Sequence, residues 1–109
     1  MDASIHALTR SQLDRLAAMD LPAHALSRGQ VVADHTHEGP AAYTACHGNV
    51  KFHCGDTEVL LGPGNPVNTI LVPAGAVHGE VGLDEAVVVQ IHGEGRIRDL
   101  LPELAAIAL

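Results

Sequence analysis

Gly29-Gln30-Val31-Val32-Ala33-Asp34-His35-Thr36-His37 is the stretch on which the reading of this 109-residue chain turns. A glycine opens it, two β-branched residues follow, and two histidines stand two positions apart. β-Branched runs bounded by glycine read as strand. Residues i and i+2 of a strand point to one face. The spacing therefore predicts a strand from Val31 to His37 that presents two imidazoles together. From one side, two imidazoles can chelate one ion.

The same texture continues outward. Apolar or alternating runs follow at Ala41 to His47, Val50 to Cys54, Val59 to Leu61, Thr69 to Val72, His78 to Val81 and Ala86 to His92. Between them stand Gly48-Asn49, Gly55-Asp56, Gly62-Pro63-Gly64-Asn65-Pro66, Pro73-Ala74-Gly75 and Gly82-Leu83-Asp84, all turn signals. From Leu26 to His92 this amounts to about eight short strands, the signature of an all-β barrel or sandwich.

The two ends read differently. Residues 9–19 suit a short helix, with Thr9 as N-cap, Gln12 completing a capping box and Leu21-Pro22 closing it. Asp99 is expected to cap a last helix running through Leu109, with Leu100, Leu101, Leu104, Ile107 and Leu109 as its apolar surface. The expected division is a helical extension over 1–25, the barrel over 26–96, and a C-terminal helix over 97–109. That helix must pack on the barrel or on a partner subunit, which favours a homodimer.

Composition excludes several classes. Six Lys+Arg against thirteen Asp+Glu, net charge −7, do not make the basic patch of a nucleic-acid binder. Tyr43 and Phe52 are the only aromatics apart from histidine, too few for a base-stacking platform. No apolar stretch is long enough to span a membrane. The N-terminus lacks a basic, then apolar leader, and Cys46 and Cys54 are too few for a disulfide framework. A cytoplasmic protein with free thiols is the expectation. Eight histidines are the unusual feature.

His78 is the natural third ligand. It follows Gly75 by three residues, just past a Pro73-Ala74-Gly75 turn. Proline sets φ where that turn begins and glycine permits φ > 0 after it. Three neutral imidazoles with open positions suit one divalent transition metal: Fe, Ni, Zn, Mn or Cu.

These residues resemble the two motifs of the cupin family. The first family motif is a glycine, five residues, His-x-His, three or four residues, a glutamate, six residues and a glycine. Here Gly29, His35, His37 and Gly48 fall at those distances. The second is a glycine, five residues, Pro-x-Gly, two residues, His, three residues and Asn. Here Pro73, Gly75 and His78 match. The likeness runs from residue 29 to residue 92. It implies a cupin-type jelly-roll β-barrel with short terminal helices, and a metal on His35, His37 and His78. The departures are as informative. Ala41 or Ala42 stands where the family places its glutamate, Val67 replaces the second motif's glycine, and Gly82 replaces its Asn.

Four more residues are weighed as pocket or neighbouring groups. Glu38 follows His37 and would stand in for the missing acid, although strand parity turns it away and favours a solvated loop acid. Gln90 and His92 share one face of the last strand, with Val87, Val89 and Ile91 on the other. They look into the barrel if the valine face packs outward; otherwise His92 is a solvated strand end. Tyr43 shares a face with Ala41 and is read first as a barrel-filling aromatic whose hydroxyl finds a partner. Cys46-His47 and His53-Cys54 cannot converge as a zinc site, because adjacent strand residues face opposite ways. His6, His24, His47 and His53 read as surface residues.

Two functions stay open. One is a metal-dependent enzyme, of dioxygenase, isomerase or lyase type, on a small oxygen-bearing molecule, with catalytic residues unassigned. The other is a non-catalytic small-ligand or metal-sensing module. Partners are a small molecule and a second copy, with no nucleic acid and no membrane.

Overall fold

The computed structural model describes residues 2–108. Among the described residues, nine strands form two antiparallel sheets. They are β1 (Ser4–His6), β2 (Ala23–Leu26), β3 (Val31–His35), β4 (Ala41–His47), β5 (Val50–Cys54), β6 (Thr57–Leu61), β7 (Thr69–Val72), β8 (His78–Gly82) and β9 (Ala86–His92). The five-stranded sheet has the order β1-β7-β4-β9-β2, and the four-stranded sheet β3-β8-β5-β6. They face each other across a core that includes Leu26, Tyr43, Val50, Phe52, Leu61, Ile70 and Val88. The jelly-roll expectation holds, as two facing sheets.

Alternation places these residues. In β5, Val50, Phe52 and Cys54 are buried while Lys51 and His53 are half-buried. Each fully buried Leu or Phe stabilises the fold by about 1.5–3 kcal/mol. β4 is buried along most of its length because both its faces are covered. Tyr43 faces the inter-sheet core, whereas Ala42 joins Leu71, Ile91 and the helices on the far side.

Those helices are α1 (Arg10–Ala17), α2 (Glu94–Leu100) and α3 (Pro102–Ala108). Thr9 and Gln12 make the expected capping box. Leu13, Leu16, Ile97, Leu101 and Leu104 pack on the outer face of the five-stranded sheet. The C-terminal helix departs from expectation. Helicity begins at Glu94, with Gly93 rather than Asp99 at its start, and breaks at Leu101. Leu101 precedes Pro102, and a residue before proline is driven from the helical region; its φ of −131° and ψ of 58° show this. Proline then suits the first turn of α3. The expected apolar contributions of Ile107 and Leu109 lie outside the described side chains.

Strands β1 and β2 lie in the stretch read as a helical extension. β1 pairs with β7 and β2 with β9. Neither has a strong sequence signal: Ala23-His24-Ala25-Leu26 holds no β-branched residue. Pairing partners supply what propensity does not. At one end of the jelly roll, Gly48 has φ +68°, and a Cβ there would lie 2.1 Å from the Glu85 carbonyl. Only glycine fits this turn. Asp84 accepts hydrogen bonds from the Asn49 backbone at 2.7 Å and side chain at 2.9 Å, pinning that end. Among the described residues, no helix is long and apolar enough to cross a membrane.

Candidate metal centre

At the opposite end, three histidines converge. His35 ends β3, His78 begins β8, and the two are register partners. Potential ligand atoms of His35, His37 and His78 all lie within 4.8 Å of one another. Ring centroids are 4.8 Å apart for His35–His37, 4.3 Å for His35–His78 and 5.2 Å for His37–His78.

Simple strand parity is not what brings them together. On β8, Glu80 and His78 both face inward, two residues apart. Their partners on β3 are Val32 and His35, three residues apart, with the register shifting between them. β3 therefore carries a bulge in which Ala33 and Asp34 occupy one extra position. An extra residue reverses alternation. A regular strand would have aimed Asp34 inward and His35 outward. His37 lies beyond the strand, in the loop. Its carbonyl accepts a hydrogen bond of 2.9 Å from Gly75 N, which ties the loop to the Pro73–Ala76 turn. In that turn Ala76 N donates to Pro73 O, and Gly75 has φ +77° as expected.

Gly79 is the residue opposite the bulge. A Cβ on it would meet Asp34 Oδ1 at 2.7 Å, His53 Cε1 at 2.9 Å and Val32 O at 2.9 Å. Asp34 reaches across this bare backbone to His53 Nε2 on the outer face of the sheet. The pair clamps the bulge from outside while His35 projects within. His53, read as a plain surface residue, has this partner.

The tautomers follow from the backbone. His35 Nδ1 lies 2.8 Å from Ala33 O, and His78 Nδ1 2.9 Å from Ala76 O. A carbonyl only accepts, so each Nδ1 carries the proton and each Nε2 keeps a lone pair. The third ring has the complementary feature: His37 Nε2 is buried without a hydrogen-bond partner among the described residues. Burial lowers the pKa of His37 and His78 from the ordinary 6.5, and the neighbouring histidines add to the effect. Neutral imidazole is the ligand form. An orphaned ring nitrogen beside two oriented lone pairs fits a divalent ion.

The inward row of β9 continues the polar end. Ala86 and Val88 lie in the inter-sheet core and Ile91 under the helices, so Gln90 and His92 belong to the inward row. His92 Nε2 lies 3.1 Å from Gln90 Oε1, and its ring is 4.8 Å from that of His37. His92 is exposed at the mouth of a cleft of about 450 Å³ lined by His37, Gly39, Pro40, His92 and Gly93. Tyr43 is buried, and its hydroxyl lies 2.9 Å from His78 Nε2. Glu38 is exposed in the bend after His37 and is not part of the cluster. Ala41 and Ala42 are both 1% exposed, so the missing glutamate's place is packed with backbone and methyls.

Two residues were not foreseen. Glu80 is 3% exposed and faces the interior two residues after His78. His24 Nδ1 donates to its Oε1 at 3.0 Å, and its Oε2 has no partner. His24 is thus a half-buried partner of an interior acid, not the surface residue its sequence suggested. Glu80's placement on the His78 face by i+2 spacing was available as a signal.

Comparison with solved structures agrees with the topology. The Thermus thermophilus protein TT1209 is 33% identical, with a TM-score of 0.57, over 64% of this chain and 67% of its own. A cupin superfamily protein from Desulfitobacterium hafniense matches at 18% identity and TM-score 0.57, over 82% and 74% of the two chains. Salicylate 1,2-dioxygenase from Pseudoaminobacter salicylatoxidans, solved with gentisate, matches at 14% identity and TM-score 0.59. That match covers 73% of this chain but only 21% of the dioxygenase. No family model and no curated protein matches the sequence. The chain is a small cupin-fold protein, and it belongs to one family with TT1209.

Proposed function

We propose that this protein is a divalent-metal cupin: His35, His37 and His78 hold one transition-metal ion through Nε2, and a small oxygen-bearing molecule takes a remaining position. The observation that carries the reading is the convergence of the three rings, two of them locked by backbone carbonyls so that Nε2 carries the lone pair, that of His78 being hydrogen-bonded by the Tyr43 hydroxyl. Fe, Ni, Zn, Mn and Cu all suit such a donor set. When bound, the ion supplies Lewis acidity toward a coordinated oxygen. The chain's own residues do the rest. The carbonyls of Ala33 and Ala76 orient two rings. His37 and His92 line the cleft through which a ligand enters. Tyr43 and Gln90 stand behind them as hydrogen-bonding groups. A metal-dependent enzyme of dioxygenase, isomerase or lyase type is the first reading, in keeping with the fold it shares with a dioxygenase.

One observation favours the second reading, a non-catalytic ligand-binding or metal-sensing module: among the described residues, no carboxylate lines the cleft. The experiment separates these readings. Protein purified without a histidine tag should carry or take up one equivalent of metal, measured by mass spectrometry. His35→Ala and His78→Ala should each abolish it; unchanged metal content in either would overturn the site. Oxygen uptake with a panel of small carboxylates, phenols and diketones favours the enzyme. Stoichiometric metal without turnover favours the module.

A homodimer is proposed through a different surface from the one first expected. The C-terminal helices are covered by their own sheet. The outer face of the four-stranded sheet stays bare, with Val31 67% and Leu60 52% exposed. Light scattering should give twice the chain mass, and Leu60→Glu should halve it.

A further inference from the structure

His78 Nε2 has one lone pair, and Tyr43 is seated on it. Because His78 Nδ1–H donates to Ala76 O, the 2.9 Å contact with Tyr43 runs from the phenol hydroxyl to Nε2. That hydrogen bond and a coordinate bond to the same nitrogen exclude each other. Tyr43 is 1% exposed, wedged between Phe52 at 5.0 Å and His78 at 5.3 Å, ring centroid to ring centroid. It cannot discard its hydrogen bond to water. A buried hydroxyl with no partner is costly, so the displaced hydroxyl needs another acceptor. The interior offers one: Glu80 projects from the same face of β8, and its Oε2 is buried without a partner. The phenol also senses this carboxylate. Burial first, and then the charge of Glu80, raise its pKa, which keeps the hydroxyl a donor.

We infer that Tyr43 is a displaceable cap on a metal ligand: its hydroxyl competes with the ion for His78 Nε2, and when the ion wins it turns to Oε2 of Glu80. The inference rests on the metal reading above and deepens it. Tyr43 is a positioning residue here, acting through His78. The cap sets how readily the centre loads and couples loading to the pair that buried Glu80 makes with half-buried His24.

Zinc alone is the probe, because it is a closed-shell ion without redox chemistry. The chain has one tyrosine and no tryptophan, so its ultraviolet emission reports Tyr43 and nothing else. Zinc titration of chelator-treated protein should change that emission and saturate at one equivalent. Tyr43→Phe keeps the ring and removes both bonds of the hydroxyl, to His78 in the free protein and to Glu80 in the loaded one; added to Glu80→Gln, where the second is weakened, it should tighten zinc by about two- to tenfold, the worth of one ordinary hydrogen bond. A tyrosine that merely supports the fold would give the opposite sign. Glu80→Gln should weaken zinc in the Tyr43 protein and do so less in the Tyr43→Phe background, because the acceptor matters only while a hydroxyl needs it. Stoichiometric zinc with unchanged emission, or with unchanged or weaker binding when Tyr43→Phe is added to Glu80→Gln, overturns the cap and leaves the metal reading standing. Equal losses from Glu80→Gln in both backgrounds overturn the transfer to Glu80. Absence of bound zinc in the parent protein overturns both readings together.

Discussion

The two ends of this jelly roll are built on opposite terms. At one end Val50 and Leu61 are fully buried register partners, Gly48 admits no side chain, and Asp84 clips Asn49. At the other, strands β3, β8 and β9 end or begin on His35, His78 and His92, and the interior is polar. The first end is closed by apolar burial and a turn network. The second brings together rings whose lone pairs have few protein partners. The residues that close the fold and those of the proposed metal centre are therefore different residues of the same two sheets, and each set should be breakable without the other.

The largest effect on folding should come from the closed end. Leu61→Ala removes a fully buried side chain and should cost about 2–5 kcal/mol, read by denaturant titration. Metal stoichiometry at room temperature should be unchanged; loss of metal in a variant that remains folded would show that the two ends are coupled.

The bulge should give the converse. Gly79→Ala places a methyl against Asp34, His53 and the Val32 carbonyl, and so disturbs the bulge that turns His35 inward. Metal affinity should fall about 10–100-fold, the usual loss when a group supporting a ligand is disturbed. The unfolding midpoint should move much less than in Leu61→Ala. Unaltered affinity would mean that the outer clamp does not aim His35.

Acid should act chiefly through the polar end, which holds three of the four histidines kept below their ordinary value by burial; the fourth is His6 on β1. His37, His78 and His92 are held below the ordinary 6.5, in each case first by burial. The unfolded chain then binds more protons than the folded one between 6.5 and the lower folded values. Stability measured in the presence of chelator should be fully present above about 6.5 and decline as pH falls below it. His92→Gln, which removes one of the three groups, should flatten the decline. An unchanged slope would locate the acid sensitivity elsewhere.

Much of this was legible in the chain. Glycine and proline breaks between apolar runs located seven of the nine strands and the turn before His78, since backbone dihedral limits are local. Thr9 and Gln12 showed the capping box for the same reason. What escaped was non-local. β1 and β2 are strands because β7 and β9 pair with them. The C-terminal helix splits because Pro102 governs the residue before it, a signal that was present and unused.

The sequence by itself determined that three histidines stand near strand ends and that short apolar runs broken by glycine and proline fold as an all-β barrel or sandwich. Both follow from spacing and side-chain chemistry. Tertiary structure alone decided which way those histidines point. His35 turns inward through an extra residue opposite Gly79, and His37 is brought to His78 by a hydrogen bond to Gly75 from beyond the strand. Tyr43 and Glu80 likewise meet His78 only in the fold. Parity within one strand is a local property, but a bulge depends on what the neighbouring strand leaves room for.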